Sequence, residues 1–410
     1  MNRDPTPLLP LPEPLNGTVE GSFAHYTITV RMPWILREVI EENDYPPGVE
    51  AKLQALLVEI PNAPLRPLQD ASAPDSAEWA RYILPYLGKN WLEVPWFFAE
   101  PYYYRRILEA TGYFEPGPRQ GSDPFTNQKR KVLETADQAV MALSKTVAQA
   151  VQIPNLDTEQ KQSWSHRLLV ANVWGNQADL SMWPSGERPD LQEAGDQRSH
   201  MLIDRSPSIF HVLFHSGHPL ERVDFILDNY GPELVHDLGL ADFLLTTGTV
   251  KRIRFHARAH PTFVSDTLIP DIYQAADYLA NHPDSHARAL GSRVRQHLSS
   301  GRLELTTDFF WTSPLYFWEM PERIRYELSE SQLLISKGDY NYRRLVGDRA
   351  WPPDTPFEDV VCYLPVPLVC LRVLKSEVVL GLQPGKAEAL FREDPEWLIN
   401  GRWGIIQFTP

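Results

Sequence analysis

The sequence predicts an α/β protein: a helical N-terminal domain packed on a Rossmann-like, doubly wound and mostly parallel sheet. Two textures and one boundary carry that expectation. Before about residue 205, apolar residues recur at three- and four-residue spacing, the period of a helix with one buried face. From residue 206 onward, short β-rich runs alternate with helical segments, and strand–helix–strand alternation favours right-handed crossovers between parallel strands. The expected organisation is a Pro-rich arm over residues 1–22, a mainly helical domain over 23–205 and an α/β domain over 206–410.

The elements follow in chain order. Prolines crowd residues 1–22, which reads as an extended arm. Tyr26 to Val30 alternates enough to suggest a short strand. Val49–Ile60, Ala136–Val151 and Asp157–Val173 read as helices, the last with Asp157 and Thr158 available as N-caps. In the second half, strands are expected at Val223–Leu227, Ile253–His256, Leu303–Leu305, Leu333–Ser336, Val369–Leu374, Val378–Gly381 and Gly404–Phe408. Helices are expected between them at Glu233–Leu245, Ile272–Leu279, Ser285–Leu298 and Phe317–Leu328. No internal repeat of solenoid length is visible.

Composition narrows the function classes. The chain has 410 residues, 43% of them hydrophobic, enough for a large core. Its net charge of −14 argues against a nucleic-acid footprint but permits a small phosphorylated ligand in a locally positive pocket. The longest apolar run, Val360 to Leu371, is 12 residues, short of a membrane span, so no membrane partner is expected. Prolines and acids interrupt the N-terminus, which leaves no signal-peptide core and implies a cytoplasmic protein. Cys362 and Cys370 alone build neither a disulfide framework nor a structural zinc site.

Candidate chemistry lies just past the apolar runs, because ligands of open α/β sheets bind outside the carboxyl ends of the strands. The first run is followed by Asp228-Asn229-Tyr230-Gly231-Pro232-Glu233, a carboxylate and an amide at a strand tip with a helix starting at once. The second leads to Pro261-Thr262-Phe263-Val264-Ser265-Asp266, the fourth to Lys337-Gly338-Asp339-Tyr340-Asn341-Tyr342-Arg343, and the next closes at Arg372-Val373-Leu374-Lys375. Each segment alone is explicable as a turn or a cap. In a parallel sheet they share one rim. Asp and Asn oxygens suit Mg²⁺ or Mn²⁺, and Lys and Arg suit phosphate, the combination that metal-assisted phosphoester hydrolysis requires. His256 and His260 have no third zinc ligand near them in sequence. The aromatic run Trp91 to Arg106 is a core stripe, or else it brings Glu100 and Arg105 over the rim. The chain has no P-loop, Gly-x-Gly-x-x-Gly, Gly-x-Ser-x-Gly or His-Glu-x-x-His motif.

These segments resemble the damage-control phosphatase family, in particular the subgroup named for acidic-residue methyltransferase. Asn43-Asp44-Tyr45-Pro46-Pro47, Val94-Pro95-Trp96-Phe97-Phe98-Ala99-Glu100, Tyr104-Arg105-Arg106, Asp123-Pro124-Phe125 and Trp174-Gly175-Asn176-x-x-Asp179-Leu180-Ser181 are similar to that subgroup's blocks, in the same order. The resemblance implies a metal-dependent phosphatase of sugar phosphates such as fructose 1-phosphate or fructose 6-phosphate, with Mn²⁺, Co²⁺ or Ni²⁺ supporting activity and Mg²⁺ as a further candidate. It implies that Asp228, Asn229 and Asp266 hold the metal and act in catalysis together with Asp339. It places substrate on Asp339, Asn341, Tyr342, Arg343 and Lys375, with Glu233, Lys337, Glu100, Asn176 and Asp179 as further contacts. The subgroup's Arg-Thr-x-Lys signature stands here as Arg372-Val373-Leu374-Lys375, so the lysine is kept and a hydroxyl is lost. Two other functions are compatible: an S-adenosylmethionine-dependent carboxyl methyltransferase, though no glycine-rich methyl-donor loop follows the first strand, and a non-catalytic phosphometabolite-binding protein.

Overall fold

The computed structural model describes residues 6–175, 199–215 and 217–410. One seven-stranded sheet organises the molecule. Its strands are β1 (Met201–Asp204), β2 (Leu220–Ile226), β3 (Val250–Ala257), β4 (Leu303–Thr307), β5 (Leu333–Lys337), β6 (Leu368–Val373) and β7 (Gly404–Thr409), in the order β1-β7-β6-β5-β2-β3-β4. Strands β2 to β6 are mutually parallel; β7 runs antiparallel to β6 and carries β1 at the edge. Every residue of β5 and β6 is buried, as expected of parallel strands covered on both faces. The chain lays β3 and β4 on one side of β2 and then returns to place β5 on the other. The topological switch point, where open α/β sheets bind ligands, therefore falls between β2 and β5.

Three apolar clusters hold this arrangement. One sheet face, with Phe225, Phe255, Ile335 and Leu371, packs on helices Asp137–Val151, Thr158–Trp174, Pro232–Thr246, Ile269–Ala280 and Ser285–Ser299. The other, with Ile226, Leu334, Cys370 and Ile405, packs on helices Gly338–Val346 and Phe357–Val361. A third cluster joins residues between Ala24 and Phe125 to Phe263, Val264 and Tyr340. The boundary read at 205/206 does not coincide with this division. Helices Asp137–Val151 and Thr158–Trp174 lie before it yet cover the sheet, and β1 lies before it and belongs to the sheet.

Most expected elements form within a few residues of their expected ends, and the capping box at Asp157 and Gln160 starts its helix. Three expectations are corrected. Tyr26–Val30 is helical, because Ala24, Ile28, Met32, Ile35, Leu36 and Val39 are all buried at helical spacing, while Tyr26 and Val30 are exposed. Val378–Gly381 is a buried loop whose backbone groups pair with the Tyr342 hydroxyl, the Arg372 guanidinium, the Gln407 amide and the Thr355 carbonyl. Phe317–Leu328 breaks at Met320-Pro321 into a short 3₁₀ turn and the helix Glu322–Ser329, since a proline disfavours helical backbone in the residue before it. The arm from residue 6 is extended and crosses both halves: Leu15 N–H donates to the Asp348 carbonyl and Gly17 N–H to that of Leu92. No helix among the described residues is long and apolar enough to cross a membrane.

Candidate functional site

Two strand tips meet beside the switch point. Beyond β2 and β3, Asn229 and Asp266 form an isolated antiparallel bridge. Tyr230 N–H donates to the Ser265 carbonyl (2.6 Å) and Thr267 N–H to that of Asp228 (2.8 Å), so Asp228, Asn229 and Asp266 stand together. All three are buried. The Asn229 amide has a defined orientation: Nδ2 donates to Asp228 Oδ2 (2.9 Å) and Glu233 Oε2 (3.1 Å), while Oδ1 accepts from the Ser265 hydroxyl (2.7 Å). The Asp266 loop is strained, with φ at +47° for Phe263 and +66° for Val264, a region hostile to a β-branched residue. The helical half supplies the restraint: the Phe263 ring lies 4.8 Å from that of Tyr104 and 4.0 Å from that of Tyr340, centroid to centroid.

The tips of β5 and β6 complete the rim. Gly338 has φ +77°, and a Cβ built on it would stand 1.8 Å from Asp228 Oδ2, so only glycine lets the helix Gly338–Val346 start against that carboxylate. Asp339 Oδ1 accepts from Arg372 Nε (2.8 Å), Lys375 N–H (3.0 Å) and the Ser376 hydroxyl (3.1 Å), tying the β5 tip to the segment that carries Lys375. Val373 faces the apolar cluster under the sheet, so its replacement of the subgroup's threonine removes no hydroxyl from this rim.

One residue that sequence reasoning missed sits in the centre. Arg258, just past β3, is buried with Nε 2.5 Å from Asp266 Oδ2, Nη2 3.5 Å from Asp228 Oδ1 and Nη1 3.1 Å from Asn341 Oδ1. Its position directly after a β-rich run was the available signal.

Four expected substrate contacts point elsewhere. Arg343 gives Nε and Nη2 to Asp348 (2.8 Å each) and Nη1 to Glu100 (2.6 Å), over the Trp96 ring at 3.5 Å. Both partners are buried, so Arg343 and Glu100 lock the helical half to the sheet and are not positioned as a phosphate clamp. Burial raises the Glu100 carboxyl above its ordinary range, against the pull of Arg343. Tyr342 is core: its ring stacks on Phe357 and its hydroxyl accepts from Leu380 N–H (3.1 Å). Asn341 braces the strands, donating to the Leu227 (2.9 Å) and Lys337 (2.8 Å) carbonyls. Lys337 turns behind the rim. Its Nζ lies 3.3 Å from both Glu233 Oε1 and Asp237 Oδ1 and donates to the Asn172 carbonyl (3.2 Å). Lys337 thus neutralises Glu233, and Glu233 orients Asn229. Asn176 and Asp179 lie outside the described residues.

Could these side chains hold a cation? Two carboxylates and an amide oxygen are hard donors of the kind divalent ions take. The missing Cβ at Gly338 keeps the space beside Asp228 open. Among the described residues no group of three or more His, Cys, Asp or Glu side chains is placed to hold an ion, so a set built here needs the asparagine.

Comparison with known proteins agrees with this architecture. The "Damage-control phosphatase ARMT1-like domain" matches residues 27–390. Proteins named "Damage-control phosphatase ARMT1" are similar along their whole length. The Danio rerio protein is 34% identical, covering 97% of each chain. The Mus musculus protein is 34% identical over 96% of this chain and 98% of its own, and the Homo sapiens protein 32% over 97% and 98%. A crystal structure of a DUF89 family protein from Pyrococcus horikoshii superposes with a TM-score of 0.48 at 13% identity, over 92% of this chain and 96% of that one. With matches that span nearly the entire chain, this protein belongs to the ARMT1-like damage-control phosphatase family.

Proposed function

We propose that this protein is a divalent-metal-dependent phosphatase that hydrolyses small phosphorylated metabolites, sugar phosphates of the fructose 1-phosphate or fructose 6-phosphate type. The carrying observation is the juxtaposition of Asp228, Asn229 and Asp266 at the β2–β5 switch point, against a glycine that leaves the carboxylate room. Family membership supports the phosphatase class. Asp228, Asn229 and Asp266 would hold the ion, which supplies Lewis-acid stabilisation of the charge on a transferring phosphoryl group. The Glu233 carboxylate keeps the Asn229 oxygen turned to its task. Lys375 lies where a phosphate oxygen would be bound, on the segment anchored by Asp339, and Asp339 is placed to meet substrate hydroxyls. Water adds to phosphorus, the sugar alkoxide leaves and takes a proton, and the products are the sugar and inorganic phosphate.

The test is phosphate release from a panel of sugar phosphates with Mn²⁺, Co²⁺, Ni²⁺ or Mg²⁺ and with chelator. Release that needs an ion and disappears in chelator is expected. Equal release in both overturns the reading. A second expectation concerns Gly338→Ala. Left-handed backbone costs a non-glycine residue about 1–2 kcal/mol, and the added methyl displaces the Asp228 carboxylate. We expect kcat to fall on the order of 10²-fold, since small misplacements at a reacting centre are that costly, while the circular dichroism spectrum stays native. An unchanged kcat would show that Asp228 need not sit against this helix.

A further inference from the structure

We propose that Arg258 is the site's own counter-cation, a positioning residue whose guanidinium holds the Asp228 and Asp266 carboxylates side by side whether or not a metal is bound; its consequence for metal affinity rests on the reading above. The geometry is specific. The two carboxylates come from different strand tips and are both buried. Between them lies one cation, at 2.5 Å from Asp266 and 3.5 Å from Asp228. Two buried carboxylates this close repel each other unless a positive charge stands between them. The guanidinium is itself fixed from the far side, where Nη1 donates to the Asn341 amide oxygen and the Trp311 carbonyl (3.1 Å each) and the plane lies 5.3 Å from the Tyr340 ring centre. Asn341 in turn donates to carbonyls at the ends of β2 and β5. Arg258 is thereby tied to the three strands that form the site. The planar fork matters, because a lysine offers one point of charge and cannot serve Asp266, Asp228 and Asn341 at once.

The same placement has a second consequence. A fixed positive charge beside the ligand carboxylates opposes an incoming dication. Arg258 therefore sets the site's metal affinity lower than the bare carboxylates would give, and keeps the site assembled when the ion leaves.

The experiment uses the full chain in four forms: wild type, Arg258→Met, Arg258→Lys and Arg258→Met with Asp266→Asn. In chelator, Arg258→Met is expected to lower the melting midpoint by about 5 °C or more, from an uncompensated buried charge. Adding Asp266→Asn is expected to recover at least half of that loss. In calorimetric Mn²⁺ titrations, Arg258→Met is expected to bind about tenfold more tightly than wild type, with Arg258→Lys close to wild type. Failure of the second substitution to recover stability, together with unchanged Mn²⁺ affinity, would overturn the proposal and leave Arg258 an ordinary structural residue. Should Arg258→Met not fold, the same cycle run with Arg258→Lys and Asp266→Asn decides, through their non-additivity in chelator. A wild-type chain that binds none of the four ions overturns the metal reading and leaves the pairing to be judged by the chelator cycle.

Discussion

Asp228→Ala is expected to lower metal-dependent phosphate release by about 10³-fold or more, because a lost ligand removes several kcal/mol of charge stabilisation at the phosphoryl group. Bound Mn²⁺ is expected to fall with it. The fold survives the change for identifiable reasons. Asp228 sits at the end of a strand that is already paired on both sides, by β3 and β5. Its backbone carbonyl, not its side chain, holds the Asp266 loop through Thr267 N–H. The Asn229 amide loses one acceptor and keeps Glu233. Arg258 keeps Asp266 as its counter-ion. The stability cost is thus that of one unmade polar contact, about 1–3 kcal/mol, and elemental analysis beside a thermal melt separates the two effects. Full metal loading and full turnover in the variant would show that the reaction runs elsewhere.

The strand tips are legible in the amino-acid sequence for a physical reason. Parallel strands buried on both faces must be short and apolar, so polar residues immediately after them are conspicuous, and parallel pairing then brings those residues to one edge. Asp228, Asn229, Asp266 and Asp339 reach the rim by that logic. Side-chain direction past the tip is a different matter. Successive residues of the helix Gly338–Val346 point about 100° apart, so within one motif Asp339 faces the β6 tip while Tyr342 enters the core. What draws Arg343 away is Glu100, which is 243 positions distant in the chain and invisible to any local pattern. Arg258 was hidden in the opposite way. It ends a run of basic residues in which Arg252 and Arg254 pair with Glu304 on the neighbouring strand, and nothing local distinguishes it from them. The period-two signal at Tyr26–Val30 lost to a longer three- and four-residue one, since burial of a whole helix face outweighs five alternating positions.

Lys337→Met carries the largest expected cost in stability, about 3–5 kcal/mol, because it removes the cation from a buried pair of acids. Glu233 and Asp237 are both buried, each 3.3 Å from the lysine nitrogen, and the Asn172 amide donates only to Asp237 (2.9 Å). The loss has a pH signature whose sign is fixed by Asp237. Burial pushes that carboxyl up to about 6, with Lys337 pulling it down and Glu233 pushing it further up. Its value in the unfolded chain is about 4. A group raised on folding contributes stability that is complete below the lower value and is lost as pH rises through the higher one. In the wild-type protein that window runs from about 4 to about 6. Without the lysine, the folded value climbs further and the loss continues above the wild-type window. The stability deficit of the variant is therefore expected to grow between about pH 5.5 and about pH 8, read as the difference in urea unfolding midpoints. Turnover should fall as well, since an uncompensated Glu233 that takes up a proton no longer accepts from both Asn229 and its surroundings in the same way. A deficit that is flat across this range would mean that Glu233 and Asp237 find another counter-charge once the lysine is gone, and that the chain from Lys337 through Glu233 to Asn229 does not set the geometry of the site.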